Sequence, residues 1–564
     1  MKFQDFPYRR PDIRVIESEF SNLIRKFEQA TEADEQHALM TAIHNLRREY
    51  ESMCSIAYVR HTMDTTDPYY REEQDYIDET GPLYQGLVSR YYKALTESKF
   101  KEELERRWGK QLFRIAENAQ RTFSPEIVED LQLENKLTSE FTRLAASARI
   151  PFEGEERSLA QLAPFAQSQD RETRKKAAEA RTAFFAEHEA ELDELFDRLV
   201  KLRTKIAHKL GYNHFVELGY ARMNRTDYGP AEVAKFRKQV RSTVVPITMK
   251  LKERQRERIG VDRLRYYDDT FAFESGNANP KGDPEQIVAS AKRMYEEMSE
   301  ETGVFFRRMV DEGLMDLLSK PGKAGGGYCA MIAKQEAPFI FANFNGTSSD
   351  IDVLTHEAGH ALQSLCSLKY NVPEYEFPTA EACEIHSMSM EFFAWPWMEL
   401  FFGEEAEKYK FKHMSESLLF LPTGSAFDEF QHYVYENPEA TPEERKRAWR
   451  DIEKIYTPYR DYEGNDFLER GGVWLQNGHV FCIPFYYIDY ALARVCSFQL
   501  WKRANEQSEA AWYDYMNLCQ AGGSRSFLEL LALGHLDSPF ADGCVEGAVE
   551  EIERWLDRID DRQL

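Results

Sequence analysis

The sequence predicts a mainly α-helical protein with a bundle-like body. Long segments place apolar residues three and four positions apart with charged residues between them, which is the pattern of an amphipathic helix. Breaks between these segments are few, and the clearest lie at residues 273–284 and 319–330. Only residues 337–344 are typical of a strand.

The N-terminal half supplies the longest helical patterns. Residues 32–64 repeat apolar side chains at helical spacing from Leu39 to Tyr50. Residues 171–212 continue the pattern over a greater length and end beside a glycine, Gly211. Because neither segment keeps a strict heptad, we predict long antiparallel helices of a bundle and not a coiled coil.

The strand candidate reads APFIFANF, residues 337–344. Pro338 has no backbone N–H to donate to an interior ladder, so we predict an edge strand. A glycine cluster at residues 322–327 precedes it and is either a surface loop or a mobile flap. Helical patterns return from residue 351 to the end of the chain.

Composition excludes several classes of function. The 564 residues include 97 acidic and 72 basic ones, a formal charge of -25, so we expect no nucleic-acid partner. The most apolar stretch, residues 480–488, is too short to span a bilayer, and we expect no membrane partner. The N-terminus lacks a signal-peptide pattern and the eight cysteines form no CxxC pair, so we expect a cytoplasmic protein.

The stretch DVLTHEAGHALQSL, residues 352–365, carries an HExxH motif. On a helix, His356 and His360 lie on one face and can bind one metal ion, while Glu357 projects beside it. A zinc ion with two such ligands needs a third, and Glu357 is then placed to take a proton from water. Gly359, inside the same helix, predicts a close approach by a neighbouring backbone.

The third ligand has several candidates in the next helical segment, residues 379–395. Its metal-binding side chains are Glu381, Glu384, His386 and Glu391. Chemistry alone permits any of them. Glu384 and Glu391 are seven residues apart and share a helix face, so one can bind the metal while the other orients a ligand.

A late cluster, NGHVFCIPFYYIDYALA at residues 477–493, combines His479 with Tyr486, Tyr487 and Tyr490. Tyrosine hydroxyls in a dry site can stabilise the oxyanion that forms when water attacks a carbonyl. The alternative is that these tyrosines are core aromatics whose hydroxyls find ordinary partners.

These motifs together resemble the zinc metallopeptidases that include oligoendopeptidase F and thimet oligopeptidase. In that family a glutamate beyond the second histidine is the third ligand, within a pattern close to E-x-x-S-x-x-x-E. Glu384, Ser387 and Glu391 match this pattern. Residues 427–449 and the late cluster are similar to the oligoendopeptidase F and Pz-peptidase types, and the resemblance extends over about residues 320–540.

The resemblance implies one zinc ion per chain, with His356, His360 and Glu384 as ligands and Glu357 as general base. It also implies a two-lobed helical ellipsoid with a deep channel for short peptides. We expect an N-terminal helical lobe at residues 1–200 and a catalytic lobe at 201–564. The late histidine and tyrosines that steady the carbonyl in the family correspond to His479, Tyr486 and Tyr490, and which tyrosine acts stays open.

We therefore predict a zinc-dependent endopeptidase that hydrolyses internal bonds of short oligopeptides. A carboxypeptidase or dipeptidyl carboxypeptidase on a similar scaffold is one alternative, and it requires a cation that holds the terminal carboxylate. A non-catalytic peptide-binding protein with a structural metal site is another, with Cys366 or Cys383 as further ligands. An edge strand suits addition of an extended peptide, with Phe339, Phe341 and Tyr487 as candidate substrate-binding side chains.

Overall fold

The computed structural model describes residues 1–564 and consists mainly of α-helices, as predicted. Six helices form the N-terminal part: α1 (Ile13–Gln29), α2 (Ala33–Met63), α3 (Pro68–Thr96), α4 (Lys101–Trp108), α5 (Lys110–Gln120) and α6 (Val128–Ala146). Helix α2 confirms the helix predicted over residues 32–64. A two-stranded antiparallel sheet follows, made of β1 (Ile150–Phe152) and β2 (Glu155–Arg157).

Eight further helices lie between the two sheets. They are α7 (Ala163–Ala166), α8 (Arg171–Glu187), α9 (Glu189–Lys209), α10 (Phe215–Arg222), α11 (Pro230–Gln239), α12 (Val245–Arg258), α13 (Pro284–Met298) and α14 (Glu300–Asp311). The helical pattern of residues 171–212 is thus two helices, separated at His188. Gly211 adopts a φ of 83°, a left-handed conformation that suits glycine and ends the second helix.

The C-terminal part is again helical. It contains α15 (Ser349–Ser367), α16 (Ala380–Phe393), α17 (Glu399–Phe402), α18 (Ala406–Glu436), α19 (Pro442–Tyr456), α20 (Asp466–Glu469), α21 (Gly478–Cys482), α22 (Tyr487–Glu506), α23 (Ser508–Ala521), α24 (Phe527–Leu533) and α25 (Cys544–Asp557). None of the helices combines the length and the apolar character needed to cross a membrane.

The second sheet corrects the prediction of an edge strand. Its strands are β3 (Met315–Leu318), β4 (Tyr328–Ile332) and β5 (Ala337–Phe344), in the order β3-β5-β4, so β5 is central. The N–H of Ile340 donates to Leu314 O on the β3 side, and position 338 faces that same side. Strand β3 begins opposite Ile340, so Pro338 has no partner strand on that side. The missing N–H of Pro338 therefore interrupts no hydrogen-bond ladder.

The central position of β5 also removes two candidate substrate-binding side chains. Phe339 is 1% exposed and Phe341 is 0% exposed. Phe339 packs against Phe3, with ring centroids 4.2 Å apart, and Phe341 stacks on Tyr328 at 4.7 Å. Both phenylalanines are therefore core residues with no surface for a peptide, and their proposed role was wrong.

Two hydrophobic cores hold most of the helices together, and a third cluster of five buried residues packs β1 against α8. The larger extends from Phe3 to Leu556, and the smaller unites α1 to α5 with Val372 and Tyr375. The expected lobe boundary between residues 200 and 201 falls inside α9, and it stays a prediction.

Candidate active site

Helices α15 and α16 meet at Gly359. A Cβ atom on this residue would lie 2.7 Å from His386 O and 2.7 Å from Ser387 Cα, which is closer than side chains approach a backbone. The close approach predicted from this glycine is therefore confirmed. Its consequence is that the histidines of α15 face the carboxylates of α16.

Three side chains at this crossing could hold a metal ion: His356, His360 and Glu384. Their ligand atoms all lie within 4.8 Å of one another. Glu384 Oε2 is 3.1 Å from His356 Nε2 and 3.5 Å from His360 Nε2. Two imidazole nitrogens and one carboxylate are the donor set of a zinc site with an open fourth position.

The other candidates of α16 lie outside this group. Glu381 and His386 are buried, and their polar side-chain atoms have no hydrogen-bond partner. No cysteine belongs to the group, so Cys366 and Cys383 do not close a structural metal site.

Glu391 orients His356. Its Oε1 accepts a hydrogen bond from His356 Nδ1 at 2.7 Å, and its Oε2 accepts one from Arg494 Nη1 at 2.8 Å. Burial raises the pKa of Glu391, but the charge of Arg494 and the histidine hydrogen bonds outweigh it and hold that pKa well below its usual range. The anionic carboxylate fixes the His356 proton on Nδ1 and leaves Nε2 free to bind a metal ion.

His413 completes this arrangement. Trp395 Nε1 donates to His413 Nδ1 at 3.1 Å, so the proton of the neutral ring lies on Nε2. That nitrogen donates to Glu391 Oε2 at 2.9 Å. Neither His413 nor Arg494 was predicted from the sequence, because they lie on α18 and α22, remote from the HExxH motif.

Glu357 is a buried carboxylate with an unsatisfied oxygen. It is 5% exposed, and its Oε2 has no hydrogen-bond partner. Burial raises its pKa, with the charges of His356 and His360 acting in the opposite direction. A buried carboxylate oxygen without a partner is unfavourable for folding alone and is available to a proton-donating ligand.

The glycine-rich loop before β4 covers Glu357. A Cβ atom on Gly327 would lie 3.2 Å from Glu357 Oε1 and 2.9 Å from Val353 Cγ1. Lys323 is buried in the same loop, and its Nζ donates to Asp316 O at 3.1 Å and to Leu318 O at 2.9 Å. The loop is thus fastened to the sheet at one point and packed on α15 at another.

The late cluster contacts Glu384 Oε1, the carboxylate oxygen that does not face the two histidines. Tyr486 OH donates to Glu384 Oε1, and Tyr490 OH is 3.2 Å from His479 Nε2. The His479 and Tyr486 rings stack with centroids 5.6 Å apart, and burial lowers the pKa of His479. Tyr487 packs 5.3 Å from the His479 ring. The structure thus brings the predicted histidine and tyrosines together beside Glu384.

An unusual backbone conformation precedes these tyrosines. Phe485 has a φ of 67°, in the left-handed region that a bulky side chain rarely adopts. Arg225 Nη2 donates to Phe485 O and to Asp489 Oδ1, each at 2.6 Å, and Gln431 Oε1 accepts from Phe485 N–H at 2.8 Å. These contacts hold the start of α22. No local pattern in the sequence around Arg225 signals this role.

The chain matches the family described as Peptidase family M3 over residues 165–549. It matches the Peptidase M3 N-terminal domain over residues 3–123. These two matches include every residue of the candidate site.

Solved structures and a curated relative agree with this match. A structure of Pz peptidase A with inhibitor 2 is 59% identical, with a TM-score of 0.99 and 100% of both chains covered. A putative oligoendopeptidase F from Bacillus anthracis str. Ames is 55% identical, with a TM-score of 0.94 over 100% of this chain and 99% of that one. The oligoendopeptidase F homolog of Borreliella burgdorferi is 26% identical over 253 residues, which cover 42% of this chain and 41% of that protein. The chain thus matches less than half of that curated relative.

Proposed function

This chain belongs to peptidase family M3, and from that premise we propose that it is a zinc-dependent endopeptidase that hydrolyses internal bonds of short oligopeptides. The observation that carries the proposal is the convergence of His356, His360 and Glu384 beside a buried Glu357 whose Oε2 has no partner. Three protein ligands leave one position open, as in catalytic zinc sites and unlike structural ones.

A zinc ion held by these three residues would lower the pKa of a water molecule and polarise the scissile carbonyl. Glu357 then acts as the base: its free Oε2 accepts a proton from the attacking water and returns it to the leaving amine. Burial raises the pKa of Glu357, which makes the carboxylate a better proton acceptor.

His479 and Tyr490 are the proposed donors to the oxyanion. Burial lowers the pKa of His479, so its ring is neutral, and the hydrogen bond between the two side chains gives way to bonds with the oxyanion when a substrate binds. Tyr486 already donates to Glu384 Oε1, so its proposed role is to steady that ligand. We therefore propose Tyr490, and not Tyr486, as the tyrosine that acts on the oxyanion.

The proposed docking strand for an extended peptide is β4. Since β5 is central, β4 has a free edge, and its residues Tyr328, Cys329 and Ala330 are half-buried. Gly327, immediately before it, lies against Glu357. Main-chain pairing along such an edge binds peptides without a strict sequence requirement.

We propose a cytoplasmic location and oligopeptides as the partners. All eight cysteines are free thiols, as in proteins of reducing compartments. The charge of -25 gives no support for a nucleic-acid partner.

The test is a ladder of peptides from four residues up to a folded protein, analysed by mass spectrometry with and without a zinc chelator. We expect internal cuts in short peptides that the chelator abolishes. Glu357→Gln should keep bound zinc and lose at least about a thousandfold in kcat, because the amide cannot accept the proton. Glu404→Gln, at an exposed position, is the matched control. Full activity in Glu357→Gln would contradict the mechanism, and stepwise release of terminal residues would favour a carboxypeptidase.

A further inference from the structure

A cavity of about 340 Å³ lies outside the metal site, between α8 and the segment that precedes α21. Apolar and aromatic side chains form most of its wall, among them Leu162, Leu468, Tyr266 and Tyr462. A space of this size accommodates a single apolar residue with its backbone.

Arg181 lines this cavity without an acidic partner. Its one hydrogen bond runs from Nε to Gln476 Oε1 at 3.2 Å. Burial lowers its pKa, and no acidic group acts in the opposite direction. Fully buried arginines of the protein are paired, as Arg174 is with Asp268 at 2.9 Å. Arg181 is half-buried, and its two Nη groups donate to no acceptor of the protein, so they are open to an anion that enters the cavity.

The second arginine of the cavity does not compensate for the first. Arg460 pairs with Glu453 Oε1 at 3.2 Å and with Asp269 Oδ2 at 3.4 Å, so its charge is already balanced. Its Nε is buried and has no hydrogen-bond partner. The cavity therefore keeps one cation in excess, the guanidinium of Arg181.

The segment that lines the cavity at Gln476 leads directly to His479. Gln476, which binds Arg181, stands three residues before His479. Tyr487 packs 5.3 Å from the His479 ring, and the charge of Arg460 acts on the Tyr487 hydroxyl. Residues 476–479 thus connect a wall of the cavity with the proposed catalytic histidine.

We propose that this cavity binds a carboxylate attached to an apolar residue, with Arg181 as its ion-pair partner. During turnover the carboxylate is the C-terminal group of the oligopeptide, a step that rests on the proposed function. The planar guanidinium offers two parallel N–H donors, which match the two oxygens of a carboxylate. A free apolar acid carries the same chemistry and is distinguished by experiment.

The first experiment measures binding without turnover. N-benzoylglycine, one carboxylate on an apolar body, is titrated calorimetrically into the wild type, Arg181→Gln and Arg198→Gln. Arg198 is an exposed arginine of α9 outside the cavity and serves as the matched control. We expect Arg181→Gln to weaken binding roughly tenfold, the effect of one charge-assisted contact. No binding to the wild type, or equal binding by wild type and Arg181→Gln, overturns the anion site whether or not the protein is a peptidase.

The second experiment identifies the source of the carboxylate. The kcat/KM of one oligopeptide is compared as its C-terminal acid and its C-terminal amide. We expect the acid-to-amide ratio to fall roughly tenfold in Arg181→Gln, through KM, with partial retention in Arg181→Lys and none of this loss in Arg198→Gln. If Arg181→Gln loses N-benzoylglycine binding but keeps the acid-to-amide ratio of kcat/KM, the carboxylate is not the C-terminus of the peptide. The site is then assigned to a free acid. If neither peptide is cleaved, the proposed function is contradicted. The first experiment alone then decides whether the anion site exists.

Discussion

Glu391 orients a proposed metal ligand, His356, although it does not belong to the ligand group itself. It holds the Nδ1 proton of His356, and it is itself held by His413 and Arg494. Partners of this kind fix the orientation and basicity of a histidine ligand. The spacing of Glu384 and Glu391 predicted one metal ligand and one orienting carboxylate on a shared helix face. The partners of Glu391 come from α18 and α22, which no local pattern links to the motif.

Glu391→Gln should weaken zinc binding about 10- to 100-fold. One oxygen of the amide can still accept from His356, but the NH₂ group then faces two donors, His413 and Arg494. The measurement is competition for zinc with a chromophoric chelator, with Glu404→Gln as the control. Unchanged zinc affinity in a folded Glu391→Gln protein would show that the carboxylate does not tune the site.

At the scale of elements, the crossing of α15 and α16 brings the proposed ligands together. HExxH and the seven-residue spacing on α16 were predictable because both depend on helix periodicity within one segment. The strand order of the second sheet was not predictable, because strand pairing is non-local. A proline excludes a strand from the interior of a sheet only where a neighbouring strand extends past it, and β3 does not extend to Pro338. The break at His188 was missed for a related reason: amphipathic spacing continues across it.

Gly359→Ala should destabilise the protein by about 1–3 kcal/mol and weaken zinc binding, because the new methyl group would collide with the α16 backbone at His386 and Ser387. Gly547→Ala, in α25, is the matched control, because nothing lies within 4 Å of its Cβ position. At that open helical site alanine should stabilise by about 0.5–1 kcal/mol. The measurements are the urea unfolding free energy and zinc competition on both variants. Equal effects at the two glycines would show that the close approach of α15 and α16 is not the cause of the destabilisation.

At the scale of the whole molecule, the N-terminal helices contact the segment between α15 and α16. His44, on α2, is 2.7 Å from Asn371 O through Nδ1 and 3.0 Å from Tyr91 OH through Nε2. Arg48 Nε donates to Glu376 Oε1 at 3.2 Å in the same region. The smaller hydrophobic core is thereby joined to the part of the chain that carries the proposed ligands.

This junction predicts a loss of stability in acid. Burial lowers the pKa of His44 from 6.5 to about 4, so the folded protein keeps the ring neutral. As the pH falls below 6.5 the unfolded chain binds the proton first, and the free energy of unfolding decreases between pH 6.5 and 4. At pH 5 this one histidine should account for about 2 kcal/mol.

His44→Gln should remove that part of the pH dependence while lowering stability at pH 7.5. The measurement is the urea unfolding free energy at pH 7.5 and pH 5 for the wild type, His44→Gln and the exposed control His214→Gln. Burial raises the pKa of Glu376 to about 7, which favours the folded state in acid and opposes the effect of His44. That contribution is present in all three proteins and largely cancels in the comparison with wild type. If His44→Gln lost as much stability on acidification as the wild type, the acid sensitivity would belong to other groups and the junction would not titrate through His44.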